Sequence, residues 1–441
     1  MKKAIRNSFT FVDLFAGIGG FHQALSSLGG ICVSASEINK EAIIVYKNNF
    51  PETTIIGDIT KNWEELPKFD VLAGGFPCQP FSKAGNQQGF EDETSGNLFY
   101  TLVDILKAHP ECKFIILENV KNLADKSENW EVIRTELKQL NFYITEDPLI
   151  LSPTQFGIPQ LRERVYILGI RKDVRDGEKL KNGFIHMADL GDFNNLGKSK
   201  NTCNRGLAHS ILEMNYPKEC ELSIQEHKVL NAWLEFKYIT KFEKAGVPIW
   251  LDFFGYNLTD DEFYNKSFHH TTKDQNGKQI KTTAKISEMP KWKKHFIEKN
   301  RDFYIRHKDV LDIWVEKHDM ISLPLIYKKF EWNCGEYDDI IDYSQTIIQF
   351  RQSGIRVKVD NYFPTLVAIN NTPIIFDNNN KVLRKISPRE AANLQSFKKD
   401  FILPSNFSTI YKQLGNAVNV QIVERVFEKL CGFAVLNWRE L

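Results

Sequence analysis

The chain reads as an α/β protein: a doubly wound, Rossmann-like sheet, then a separate and smaller domain, then a C-terminal segment that completes the first. Three observations predict this. Strand-like apolar runs alternate with helix-period segments from residue 9 to residue 170. A glycine-rich turn joins the first run to the first helical pattern. Finally, successive strands end in an acid or a cysteine, at the carboxyl edge where open α/β sheets bind their ligands.

The first strand spans residues 11–15, and Ala16-Gly17-Ile18-Gly19-Gly20 follows before helical periodicity runs from Phe21 to Leu28. Glycines at such a turn let the backbone approach a ligand closely, although the spacing is not the full dinucleotide fingerprint and turns that bind nothing can look alike. The second strand, residues 31–36, leads into Glu37, about 20 residues past the glycines, where an acid can accept ribose hydroxyls. A third, residues 54–57, ends in Asp58, and a fifth, residues 113–117, ends in Glu118-Asn119-Val120. Any one such acid can be an ordinary helix cap. Three of them with a cysteine on successive strands predict a site.

The fourth strand, residues 69–73, runs into Gly75-Phe76-Pro77-Cys78-Gln79-Pro80-Phe81-Ser82. Each proline removes a backbone donor and restricts its predecessor, so this turn cannot continue as helix and holds the Cys78 thiol on a stiff loop. A lone cysteine is ordinarily a small buried hydrophobe, and Cys32, Cys112, Cys203, Cys220, Cys334 and Cys431 are read that way. Cys78 is read as a nucleophile. The polar, glycine-bounded stretch 83–89 beyond it has the composition of a lid.

Taken together these segments resemble the DNA (cytosine-5) methyltransferases of bacterial restriction-modification systems. Asp13-Leu14-Phe15-Ala16-Gly17-Ile18-Gly19-Gly20 is similar to that family's S-adenosylmethionine loop, Gly75 to Ser82 to its nucleophile motif, and Glu118-Asn119-Val120 to its acid motif. Gln160-Leu161-Arg162-Glu163-Arg164 fits the Gln-x-Arg-x-Arg element. Arg389-Glu390 and Gly415-Asn416-Ala417-Val418 resemble the last two motifs, and Thr365-Leu366 the end of the variable region. These ordered motifs cover about half the chain; most of residues 171–384 matches little.

The resemblance implies a fold, a cofactor and a set of roles. The sheet would be that of an S-adenosylmethionine-dependent methyltransferase, built from residues 1–171 and 385–441, with residues 172–384 forming a target-recognition domain and its linkers. Cys78 would attack C6 of a flipped-out cytosine, Glu118 would serve N3 and the 4-amino group, and Arg164 would bind O2, with Arg162 and Asn119 holding the loops. Phe15 would lie against the adenine, Gly17, Gly19 and Gly20 around the methionine end, Glu37 on the ribose, Ile38 near the adenine face and Asp58 on the adenine amino group. Ile59, Pro77, Leu98, Asn416 and Val418 would complete that pocket. Gln79, Ser82, Arg356 and Thr365 would contact double-stranded DNA. A cognate restriction endonuclease acting separately is an expected partner of the system. Two other readings stay open: a tRNA methyltransferase of the same fold and an inert DNA-binding relative.

Composition adds bounds. At 441 residues and 42% hydrophobic content the chain can bury sizeable cores, and two or three domains are expected. A formal net charge of +1 excludes a global polycation, so DNA would meet a basic face and not a basic total. Seven cysteines without metal-ligand spacing predict a reducing compartment and no metal. With no apolar run long enough for a bilayer, a cytoplasmic monomer is expected. Within residues 172–384, the basic aromatic stretch 281–308 reads as an amphipathic helix, since Trp292, Phe296 and Phe303 recur at near-helical spacing. Arg351-Gln352-Ser353-Gly354-Ile355-Arg356-Val357-Lys358 reads as a DNA contact or a polar hairpin, with even claims.

Overall fold

The computed structural model describes residues 9–77, 96–174, 184–186, 190, 204–273, 279–334, 337, 339–366 and 371–434. Two compact units share the chain. The first comprises Met1–Glu213, Asn361–Asn370 and Ser387–Leu441, and the second Met214–Asp360 and Asn371–Ile386.

The first unit holds a seven-stranded sheet. Its strands are β1 (Thr10–Leu14), β2 (Ile31–Ala35), β3 (Val71–Gly74), β4 (Phe114–Val120), β5 (Phe142–Ile144), β6 (Leu149–Leu151) and β8 (Arg164–Arg171), while β7 (Gln160–Leu161) lies outside it. The order is β2-β1-β3-β4-β8-β5, and β6 also pairs with β8. Strands β2, β1, β3 and β4 run parallel. Such strands, covered on both faces, are continuous apolar runs. Val12, Leu14, Leu72, Ile115 and Leu117 are accordingly buried in one cluster.

Register decides where the site lies. Leu14 pairs with Gly74 and Gly74 with Leu117, so β1 and β3 end together at one carboxyl edge and β4 carries Glu118, Asn119 and Val120 just beyond it. Strand β8 is antiparallel to β4, with Val120 opposite Arg164. The first residue of β8 therefore meets the last residues of β4.

Two expectations need correction. Residues 54–57 form no strand: Ile55 makes an isolated bridge to Ala35, and Gly57, at φ 75°, turns the chain into the cap of helix Ile59–Asn62. The first unit also continues past residue 171 to Glu213. Ile185 bonds to the Ile144 carbonyl, and the Glu213 amide donates to Glu390, so this polar stretch returns to the sheet domain. The closing helix Val420–Phe433 lays Phe427 against Phe9 and Phe114, which joins the end of the chain to its beginning.

The second unit is built on a six-stranded sheet. Its strands are β9 (Ile249–Trp250), β12 (Lys329–Asn333), β13 (Thr346–Arg351), β14 (Gly354–Val359), β16 (Ile374–Asp377) and β17 (Val382–Lys385); β10 (Ser267–Lys273) and β11 (Gln279–Lys285) pair as a separate hairpin, and β15 (Phe363–Pro364) pairs with β7 in the first unit. Trp233 stacks on Phe330 with centroids 4.6 Å apart, and Trp314 joins them in the core. A wholly buried Arg384–Asp377 pair at 2.7 Å ties β16 to β17.

The stretch expected to be an amphipathic helix forms one, Lys291–Arg306. Its buried face differs from the aromatic spacing, because Trp292 is 71% exposed while Lys293 and Arg301 are buried. Arg301 donates to the carbonyls of Phe254, Gly255 and Leu258 and pairs with Asp260, so this cation is spent inside the unit. Among the described residues no helix is long and apolar enough to cross a membrane.

Candidate active site

The glycine-rich turn is shaped by its neighbours. Phe15 adopts φ 55°, Gly17 φ 56° and Gly19 φ 92°, a left-handed run that glycine enters without a Cβ penalty and Phe15 does not. A Cβ on Gly19 would stand 2.3 Å from the Phe50 ring, which stacks on His22 at 3.7 Å. A Cβ on Gly20 would meet Val418 at 2.7 Å. Gly17 faces open space, with nothing within 4 Å of such a Cβ.

Glu37 knits this turn to the next strand. Its carboxylate accepts from the Gly17 amide at 2.8 Å and from the Ile38 and Asn39 amides at 2.9 and 2.8 Å. A carboxylate has about four acceptor positions, so capacity remains for a ligand hydroxyl. Ile38, next to it, is an apolar side chain 73% exposed. Asp58 caps helix Ile59–Asn62 through the Thr60 amide and hydroxyl, which hold its carboxyl below the usual range. Phe15 and Leu98 are half-buried, Pro77 is half-buried, Ile59 and Val418 are buried, and Asn416 is exposed. An open glycine turn, an exposed apolar face and acids with spare acceptor capacity fit a nucleoside with an amino-acid tail.

Beneath the turn lies a buried polar cluster. Asp13 is fully buried and its carboxyl is pushed well up by desolvation, while burial lowers His22 to about 4. The Tyr46 hydroxyl sits 2.7 Å from His22 Nδ1.

The reactive edge is assembled from three strands. Glu118 is 7% exposed on β4, and burial raises its pKa although Arg164 and Arg162 pull the other way. Arg164 Nε lies 3.0 Å from Glu118 Oε1, an ion pair whose N–H is not aimed at that oxygen. A Cβ on Gly75, in the loop after β3, would stand 3.7 Å from Glu118 Oε2. Asn119 donates from Nδ2 to the Phe76 carbonyl at 3.1 Å, which fixes the loop two residues before Cys78. Arg162 is 2% exposed and donates to the carbonyls of Leu366 at 3.2 Å, Gly415 at 3.0 Å and Ala417 at 3.0 Å.

The geometry therefore brings Glu118, Arg164 and Asn119 together at the strand edge, with Arg162 behind them as a backbone tie. Cys78, Gln79, Ser82 and the stretch 83–89 lie outside the described residues. Thr365 belongs to the first unit, where its hydroxyl donates to the Leu161 carbonyl, and Arg356 belongs to the second. Sequence reasoning missed Ser36, whose hydroxyl accepts from the Phe15 amide at 3.1 Å and steadies the strained turn. Its position just before Glu37 was the available signal.

The model of the C-5 cytosine-specific DNA methylase family matches residues 9–432. The chain belongs to that family. It is 34% identical to the type II methyltransferase M.HgiCI of Herpetosiphon aurantiacus, over 94% of this chain and 96% of that protein, and 32% identical to M.BanI of Aneurinibacillus aneurinilyticus, over 95% of each. Among solved structures it is similar to an Escherichia coli prophage protein described as a DNA modification methyltransferase, with TM-score 0.52, 18% identity and 97% and 100% coverage. A mutant of Spodoptera frugiperda DNMT2 gives TM-score 0.50 at 20% identity, with 96% and 99% coverage, and these two likenesses concern the fold alone. This family member is a DNA (cytosine-5) methyltransferase with the doubly wound α/β sheet of S-adenosylmethionine-dependent enzymes.

Proposed function

We propose that the protein methylates C5 of one cytosine in a short, specific duplex sequence, protecting host DNA beside a separately acting restriction endonuclease, with Cys78 as nucleophile, Glu118 as proton-holding acid and Arg164 as the O2 ligand. The observation that carries the reading is the buried Glu118–Arg164 pair at the edge of β4, beside the loop that leads to Cys78.

The chemistry asks for these groups. Cytosine C5 is a poor nucleophile, so the Cys78 thiolate first forms a bond to C6, and the ring electrons pushed toward N3 are met by a proton held on Glu118. Burial shifts Glu118 toward the protonated carboxyl that this role uses, against the pull of Arg164 and Arg162. Arg164 places a cation beside the O2 of the same ring. Asn119 sets the height of the cysteine loop through the Phe76 carbonyl. Phe15, Gly17, Gly19, Gly20, Glu37, Ile38, Asp58, Ile59, Pro77, Leu98, Asn416 and Val418 would hold S-adenosylmethionine, which when bound supplies a sulfonium methyl group to C5. Loss of the C5 proton then lets the Cys78 sulfur leave. The target base must first be flipped from the stack, at a cost of a few kcal/mol.

Bisulfite sequencing of plasmid from expressing cells tests the activity and reveals the modified sequence. Duplexes carrying 5-fluorocytosine at that position should trap the enzyme covalently, because fluorine cannot leave as a proton does, and Cys78→Ala should abolish trapping and transfer. Normal turnover by Cys78→Ala would remove the nucleophile assignment, and methylation of tRNA in place of duplex DNA would shift the substrate.

A further inference from the structure

Strand register gives the second unit one polar sheet face. Glu331 of β12 pairs with Arg356 of β14, which pairs with Gln349 of β13. Side chains alternate along a strand, so Lys329, Glu331, Arg356 and Arg351 share a face while Phe330, Ile355 and Val357 enter the core. Glu331 takes both guanidiniums. Arg356 binds it side-on, Nε at 2.7 Å and Nη2 at 3.2 Å, and Arg351 donates to it from Nη2.

Side-on capture leaves a defined remainder. The opposite end of the Arg356 fork, Nη1 with the outer hydrogen of Nη2, makes no hydrogen bond among the described residues, and the side chain is 38% exposed. Arg356 lines a groove of about 330 Å³ with Trp250, Phe296, Lys329, Arg351 and Ser353. Lys329 lies 3.5 Å from the Trp250 ring centroid, so three cations, Lys329, Arg351 and Arg356, line this groove. A structural ion pair would need one arginine, and here two arginines meet a single carboxylate.

We propose that Arg356, held in plane by Glu331, presents its free fork to O6 and N7 of a guanine in the recognised sequence, with Glu331 as its positioning residue. Bidentate arginine is the commonest reader of those two acceptors in the major groove. A phosphate contact fits less well: a carboxylate so close repels a phosphate, whereas it leaves neutral base acceptors unopposed and fixes the plane a base edge requires. The proposal rests on the reading that this protein acts on duplex DNA. Activity on the unmodified site tests that reading separately.

The experiment uses the full chain and duplexes in which each guanine of the methylated sequence is replaced singly by 7-deazaguanine, which lacks the N7 acceptor. Wild type should lose about 10- to 150-fold in kcat/KM at one guanine, the span of one hydrogen bond from a charged group. Arg356→Met should lose a similar factor on the natural duplex and be indifferent to deazaguanine at that same position. Glu331→Gln should raise KM for DNA and leave the single-turnover rate at saturating DNA unchanged. Arg356→Ala repeats the comparison should the methionine variant fold poorly, with cofactor binding as the check on the catalytic unit. The proposal is overturned if no deazaguanine affects wild type, or if Arg356→Met stays as sensitive as wild type. A wild type that methylates no duplex removes the underlying reading and the proposal with it.

Discussion

Replacing Glu118 by glutamine separates the ring chemistry from cofactor binding and from folding. The amide keeps the shape of a side chain that is 7% exposed but cannot hold a transferable proton at neutral pH. General acid help of this kind accounts for about a hundredfold to ten-thousandfold in rate, or about 3 to 5 kcal/mol of barrier. Stability should move less. The substitution removes a charge that burial penalises and leaves Arg164, 3.0 Å away, facing an amide oxygen in place of a carboxylate; these effects oppose each other within about 1 to 3 kcal/mol. The pH dependence has a definite sign. Because burial raises the folded-state pKa, the protonated form is favoured in the native state, so native stability from this group is fullest at low pH and declines as pH rises from the unfolded value through the raised one. Activity that needs the proton should fall along the same limb. Single-turnover methyl transfer measured across pH should therefore show a falling alkaline limb for wild type and none for Glu118→Gln, with S-adenosylmethionine affinity by calorimetry unchanged within about twofold. Loss of cofactor affinity with the fold intact would refute the argument, as would a variant whose rate and pH profile match wild type.

Other groups should fail in different ways. Arg162→Lys replaces a fork that reaches three carbonyls by a single ammonium, so melting should fall by the equivalent of about 3 kcal/mol and cofactor affinity should fall with it, since Gly415 and Ala417 flank Asn416. Unchanged thermal denaturation would contradict that role. Gly19→Ala forces a Cβ to 2.3 Å from the Phe50 ring at φ 92°, and about 2 to 4 kcal/mol of strain and overpacking should appear as weaker cofactor binding and a lower melting temperature. A variant that binds and melts like wild type would show that the rings behind the turn yield freely.

Much of the catalytic unit was written locally. The run of β1, the glycines after it and the helix Gly20–Ser27 lie within about 20 residues, and the hydrophobic period with turn chemistry suffices to read them. The same holds for the apolar strand before Cys78 and for Glu118-Asn119 at the end of β4. Composition also separated the strand–helix half from the aromatic half. It misjudged residues 54–57, whose β-favouring composition yields a single bridge, and the stretch past 171, whose polar look concealed its return to the sheet.

What the chain alone determined about this protein is its family signature: the glycine turn after β1, the Pro77-Cys78-Gln79-Pro80 run after β3 and Glu118-Asn119 on β4, each legible beside the end of a strand. The tertiary structure decided which of them meet. Only the antiparallel turn of β8 sets Arg164 against Glu118, residues 46 positions apart in the numbering. Arg162 finds carbonyls 204 to 255 residues away, and Glu331 gathers Arg351 and Arg356 from two other strands. Such pairings leave no period in a sequence, because hydrophobic spacing encodes which face of an element is buried and not which distant element covers it.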